Sequence, residues 1–287
     1  MCVGGGHDDR GGTHLPPDRL PGVTDAFFTP LGGNRFASTE HTSGPWDPAY
    51  QHGGPPAALL ARAIEREPAP WDAVVLRMSV DILGPVPVAE VEVTSRVVRP
   101  GRSVELVEAE LTSPESGRVA VRAQAWRARA ADLELPPLPA AHDDPAVDPV
   151  PPLPEHATEL PEGWTGGYLH AMEWRLVSGD WAERGPATIW GRMRHPLVPG
   201  EEPTGLQRTM IVADSGNGVS NVLPLGNWLF INPDLTVHFA AEPAGEWICI
   251  DARTRVQARG FGLAASRLFD RTQLVARGAQ ALFVGPR

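Results

Sequence analysis

The chain reads through one plan twice, and that repeat constrains its fold more than any single motif. Met78-Ser79-Val80-Asp81 stands 157 residues before Leu235-Thr236-Val237-His238, and Ala123-Gln124-Ala125 stands 156 before Ala279-Gln280-Ala281. Both copies order their elements alike. In the first, "AFFTPLGGNRFAST" predicts a hairpin turning at Gly32-Gly33-Asn34, and "HGGPPAALLARAIERE" predicts a helix. Four strand-like runs follow: "VVLRMSVDIL", "AEVEVTSRVVRPG", "RSVELVEAELTSPESG" and "RVAVRAQAWRARA". In the second copy "AMEWRLVSG" and "ATIWGRMRH" precede the apolar helix-like "GLQRTMIVADSGNGVSNVL". The runs "DLTVHFAAE", "GEWICIDARTRVQARG", "FGLAASRLFD" and "QLVARGAQALFVG" complete it. Alternation in "AEVEVTSRV" and "SVELVEAEL" predicts antiparallel sheet with one wet face. The expected class is α+β, with each antiparallel sheet wrapped around its own long helix.

Composition shifts between the copies. Residues 131–162, "ADLELPPLPAAHDDPAVDPVPPLPEHATELPE", are dense in Pro and acid and keep neither period, so they read as an extended linker lying over a surface. The expected organisation is a disordered N-terminus over 1–22, a first unit over 23–130, this linker, and a second unit over 163–287.

Charge and cysteine usage narrow the function. A net charge of -10 without any cluster of Lys and Arg excludes nucleic acid as a partner. Cys2 and Cys249 are the only cysteines, too few for a disulfide framework or a thiolate metal site. The first 22 residues lack the apolar core of a signal peptide, and no run approaches the roughly 18–20 apolar residues of a membrane span. The expectation is a soluble cytoplasmic protein. Gly4–Gly6 and Ser215–Gly218 lack the strand, helix and Lys of a phosphate-cradling loop, and Gly-x-Ser-x-Gly is absent, which removes the serine-hydrolase reading.

Three places carry candidate chemistry. In "QHGGPPAALLAR", Pro55 and Pro56 suit a first helical turn, while Gly53 and Gly54 leave the helix N-terminus bare to an approaching oxygen. Asp214 follows the apolar Ile211-Val212-Ala213, where it either ends the helix or serves as a site carboxylate. Gln280 shares strand parity with Leu274, Ala276, Leu282 and Val284, with Arg277 opposite, so an amide stands on an apolar face. It is a satisfied core residue or a group that holds a water. His52 reads as a capping or packing residue and His238 is ambiguous. No second His has ligand spacing to His52, so neither metal nor cofactor is expected.

The element order, His-Gly-Gly at the first helix, the helix Asp and the last-strand Gln resemble the double hotdog acyl-CoA thioesterases of the thioesterase II type over roughly residues 25 to 285. The resemblance implies two hotdog units joined edge to edge and an acyl-CoA or acyl-carrier thioester as substrate. It implies an Asp, a Gln and a Thr orienting an attacking water. Asp214 and Gln280 match the first two. Asn232 stands at the best-aligned third position, with Thr236 further along the same run. Gly53 and Gly54, beside His52, resemble the oxyanion element of hotdog enzymes. No acid occurs between His52 and Ile64, so only the second half keeps a carboxylate at that place in its helix, which implies one site per chain. Edge strands and the second sheet faces imply a homo-oligomer. Two alternatives stand beside hydrolysis: an acyl-thioester binding protein without turnover, favoured by Asn232, and a hydratase or dehydratase, whose helix His and Asp pair is missing around Asp214.

Overall fold

The computed structural model describes residues 25–45, 47–137, 139, 148–162, 166–181, 183–224 and 226–287. The segment expected to be disordered, 1–22, lies outside the described residues, as does part of the Pro-rich stretch.

The first half contains β1 (Phe28–Gly32), β2 (Arg35–Ser38), α1 (Gly54–Arg66), β3 (Ala73–Ile82), β4 (Glu90–Arg99), β5 (Val104–Ser113) and β6 (Arg118–Arg129). The second contains α2 (Gly167–Ala171), β7 (Met172–Ser178), β8 (Ala187–Met193), α3 (Gly205–Ala213) and α4 (Gly216–Val219). It ends with β9 (Trp228–Ile231), β10 (Asp234–Phe239), β11 (Ile248–Gln257), β12 (Phe261–Phe269) and β13 (Leu274–Pro286). Among the described residues, thirteen strands form one antiparallel sheet in the order β1-β2-β4-β5-β6-β3-β10-β13-β12-β11-β8-β7, with β9 on β13.

The halves meet along β3 and β10. Ser79 faces Thr236 in the register, and Val80 and Met78 face Leu235 and Val237. Ser79 and Thr236 are also repeat equivalents, so a pseudo-twofold axis runs between them. The register corrects the other correspondence. Ser79 pairs with Gln124 in β6, and Thr236 pairs with Ala279 in β13. Ala125, not Gln124, is therefore the counterpart of Gln280. A one-residue slip exchanges the faces of a strand: Gln124 looks outward and donates to Glu108 Oε2 at 2.9 Å, whereas Gln280 is buried.

Helices α1 and α3 lie antiparallel against each other. At one end Glu65 accepts from Thr204 Oγ1 and Gln207 Nε2, both at 2.7 Å; at the other, Gly54 meets Ile211. Every residue from Gly54 to Ala61 is buried, as a helix clamped between sheet and helix requires. Leu59, Leu60 and Ile64 are fully buried, each contributing about 1.5–3 kcal/mol. Arg127 Nη1 closes the C-terminus of α1 by donating to Ile64 O and Glu67 O at 2.8 Å, and its Nη2 pairs with the buried Glu105.

The second helix differs from the expectation of one long element. It ends after Ala213, turns through Asp214 and Ser215, and resumes as the four-residue α4. Residues 148–160 carry no helix or strand and lie against the second half: Trp190 Nε1 donates to Pro152 O at 3.1 Å, and Leu176 N–H donates to Thr158 Oγ1 at 2.7 Å. The halves are also tied by Phe27 and Phe28 N–H donating to Pro196 and Leu197 carbonyls, at 3.1 and 2.9 Å. Beside that tie the rings of His41 and His195 stack at 4.1 Å, each with a nitrogen on one oxygen of Asp25. No helix among the described residues is long and apolar enough to cross a membrane.

Candidate active site

The C-terminus of α3 and the N-terminus of α1 meet at one buried carboxylate. Asp214 is the C-cap of α3 and is 4% exposed. Its Oδ1 accepts from Asn232 Nδ2 at 2.9 Å and from Gln280 Nε2 at 3.3 Å. Gln280 Nε2 also reaches Asp214 O at 3.1 Å. The other end of that amide is fixed, because Gln280 Oε1 accepts from the backbone N–H of Asn217 at 3.0 Å. This bond decides the orientation of the amide and turns its NH2 toward the acid. The approach depends on Gly216, where a side-chain methyl would lie 2.7 Å from Gln280 Oε1.

Oδ2 of Asp214 faces the first half. His52 Nδ1 is 3.2 Å away, and a methyl built on Gly53 would lie 2.7 Å from Oδ2. His52 Nδ1 also accepts from Gly54 N–H at 3.0 Å. Burial holds the imidazole pKa below its ordinary value, against the pull of the Asp214 charge, so His52 is neutral near pH 7 and its contact with the acid is not an ion pair. With Gly54 N–H pointing at Nδ1, that nitrogen and Oδ2 are two acceptors facing each other.

The glycines divide their work. Gly53 makes room for the carboxylate, while at Gly54 a methyl would lie 2.5 Å from Ile211 O, so this residue permits the helices to approach. Pro55 and Pro56 have no N–H, Ala57 N–H donates to Gly53 O, and Gly54 N–H goes to His52. Of the two glycines expected to offer oxyanion donors, Gly53 alone has an uncommitted N–H. Asn232 is joined to Asp214; Thr236 is not. Asn232 occupies the turn between β9 and β10, and Thr236 lies on the face of β10 opposite the buried Leu235 and Val237. His238 is exposed on β10. A cavity of about 570 Å3 opens beside the site, walled in part by Pro48, His52, Leu169, Trp174, Asn217 and Phe230. That volume suits a small-molecule ligand.

Residues 42–128 match the family model of the acyl-CoA thioesterase N-terminal domain, and residues 136–284 match that of the C-terminal domain. The chain belongs to the acyl-CoA thioesterase family. Among solved structures it is similar to an acyl-CoA thioesterase II, TesB2, from Mycobacterium marinum, at 16% identity and a TM-score of 0.63, covering 91% of this chain and 95% of that one. The tesB protein of Mycobacterium avium subs paratuberculosis gives 16% and 0.60, over 90% and 96%. A conserved protein with the hot dog fold from Alicyclobacillus acidocaldarius gives 17% and 0.61, over 89% and 95%. No curated protein matches the sequence.

Within this family member, the sequence reading missed two side chains that organise the site. Asn217 orders Gln280 through its N–H and donates from Nδ2 to Phe230 O at 3.2 Å, tying α4 to β9. Tyr168, fully buried, stacks on His52 with centroids 4.0 Å apart. "DSGNG" held a signal for the first, since two small residues flanking an Asn after a helix mark a tight polar turn. Nothing in "GGYLHAM" distinguishes Tyr168 from an ordinary core aromatic.

Proposed function

We propose that the chain is a double hotdog thioesterase with one site, at which Asp214 activates water to hydrolyse an acyl-CoA or acyl-carrier thioester. Asn232 and Gln280 occupy Oδ1, so the accepting atom is Oδ2. A water there gives its proton to the Asp214 and His52 pair as its oxygen attacks the thioester carbonyl. Gly53 N–H, at the start of α1, is the donor assigned to the developing oxyanion. When the C–S bond breaks, the thiolate takes the stored proton, releasing acid and thiol. The acyl group enters from the cavity beside His52.

The observation that carries this reading is the buried carboxylate with two amide donors on one oxygen and an acceptor nitrogen on the other. A helix-capping Asp needs no such surroundings. The unit boundaries of 23–130 and 163–287, an oligomer built on exposed sheet faces, and a cytoplasmic location belong to the same proposal. Hydrolysis is tested by incubating purified protein with acyl-CoAs of increasing length and a thiol-detecting reagent. Release of free thiol at catalytic turnover supports it. Saturable binding of acyl-CoA without thiol release would move the assignment to a thioester-binding protein, the reading that Asn232 in place of a hydroxyl favours, because an amide holds a water but relays no proton.

A further inference from the structure

Tyr168 touches both halves of the Asp214 site without reaching the carboxylate. Its backbone N–H donates at 2.9 Å to Ser43 O, in the loop that leads to His52. Gly167 makes that approach possible: φ is +65°, and a methyl there would lie 2.5 Å from Ser43 O. The phenol ring lies within 16° of parallel to the His52 imidazole. Its hydroxyl donates to Ile211 O at 2.8 Å and therefore accepts from Ser215 Oγ, at 2.9 Å.

The two hydroxyl partners flank Asp214. In an uninterrupted helix Ile211 O would accept from Ser215 N–H. Here Ser215 N–H donates to Val212 O at 3.0 Å, a tighter turn, and the released carbonyl is taken by the tyrosine. Burial raises the phenol pKa far above the working range, so the hydroxyl remains a donor.

We propose that Tyr168 is a positioning residue for thioester hydrolysis: its ring sets the plane of His52, and its hydroxyl sets the turn that ends α3. Together they hold His52 Nδ1 and Asp214 Oδ2 at 3.2 Å. The proposal rests on the thioesterase reading above. It separates from a purely structural role because the ring and the hydroxyl act on different partners, so their removal has different kinetic signatures.

The experiment compares full-length wild type, Tyr168→Phe, Tyr168→Leu and Asp214→Asn on one acyl-CoA that the wild type cleaves, from about pH 5 to about pH 9, with thermal unfolding in parallel. Tyr168→Phe keeps the stack and loses the turn; kcat is expected to fall about tenfold with KM within about twofold of wild type. Tyr168→Leu also uncovers His52, which regains water. A fall of about 10²-fold is expected, and the acid limb of the kcat/KM profile moves to higher pH as the imidazole pKa returns toward its ordinary value. The groups packed against that imidazole are Asp214 and Tyr168 itself. A folded Tyr168→Phe with wild-type kcat overturns the proposal, as does activity in both variants that falls only with the folded fraction. If Tyr168→Leu does not fold, the kcat and KM of the Phe variant decide. Full activity in Asp214→Asn overturns the assignment of Asp214 as the base instead.

Discussion

The α-carbon of Gly53 faces Oδ2 of Asp214 so closely that a methyl built on it would lie 2.7 Å from that oxygen. Asn232 and Gln280 hold the carboxylate on its other side, so it has little freedom to retreat. Gly53→Ala is expected to displace Asp214 and lower kcat by about 10–100-fold while the protein still unfolds cooperatively. In an Asp214→Ala background the same substitution should add almost nothing, because the clashing oxygen is gone. Equal stability losses in both backgrounds would show that Gly53 serves the backbone instead.

Gly54 predicts the opposite outcome. Its methyl would meet a backbone carbonyl, Ile211 O, at 2.5 Å, and a helix carbonyl moves only if the helix moves. Gly54→Ala should therefore destabilise by about 1–3 kcal/mol, as overpacking does, and Gly54→Val by more. Thermal and denaturant unfolding measure this. An unchanged melting temperature would mean that the helices can part without cost.

His52 sets a pH dependence whose sign follows from burial. The folded protein disfavours the imidazolium, while the unfolded chain protonates near the ordinary 6.5. The unfolded state thus binds the extra proton first, and this contribution to stability is full above 6.5 and declines as the pH falls below it. Activity that needs neutral His52 follows the same direction, with an acid limb below 6.5 and a plateau above. A kcat/KM profile whose acid limb lies above 6.5 would contradict the buried, neutral imidazole.

The Arg127–Glu105 pair tests packing far from the chemistry. Both side chains are buried, and Arg127 also closes α1 through Ile64 O and Glu67 O. Glu105→Ala leaves that guanidinium without its counter-charge and is expected to cost about 3–5 kcal/mol. Urea unfolding at constant m-value checks the figure; a loss under about 1 kcal/mol would show that water reaches the pair.

Local rules carried part of this structure and failed at identifiable places. Hairpin chemistry at Gly32-Gly33-Asn34 and strand parity at Gln280 depend on near neighbours, and both are legible in the chain. The end of α3 is not: Ile211 leaves the helix ladder because Tyr168, 43 residues away, offers a hydroxyl to its carbonyl. Offset counting set Gln124 against Gln280, but the ladder joins Gln124 to Ser79 and Ala279 to Thr236, and a single-residue slip separates an outward amide from an inward one. His52 reads as an ordinary capping residue because it is one, through Gly54 N–H. Its second partner, Asp214, lies 162 residues further along the chain. The meeting of Gly53 with Asp214 arises only when the two helices pack antiparallel.

The central claim is that Asp214 takes the proton of the attacking water, and the most direct measurement is thioester cleavage by Asp214→Asn. An Asn amide keeps an oxygen to accept from Asn232 and Gln280 and turns its NH2 toward His52 Nδ1, so the variant should fold, with a melting temperature close to wild type. It accepts no proton, so kcat should fall by about 10²–10⁴-fold. Gln280→Ala should fall less, since it orients without moving protons, and the double variant should lose much less than the two losses combined. A folded Asp214→Asn protein that cleaves acyl-CoA at the wild-type rate would contradict the account.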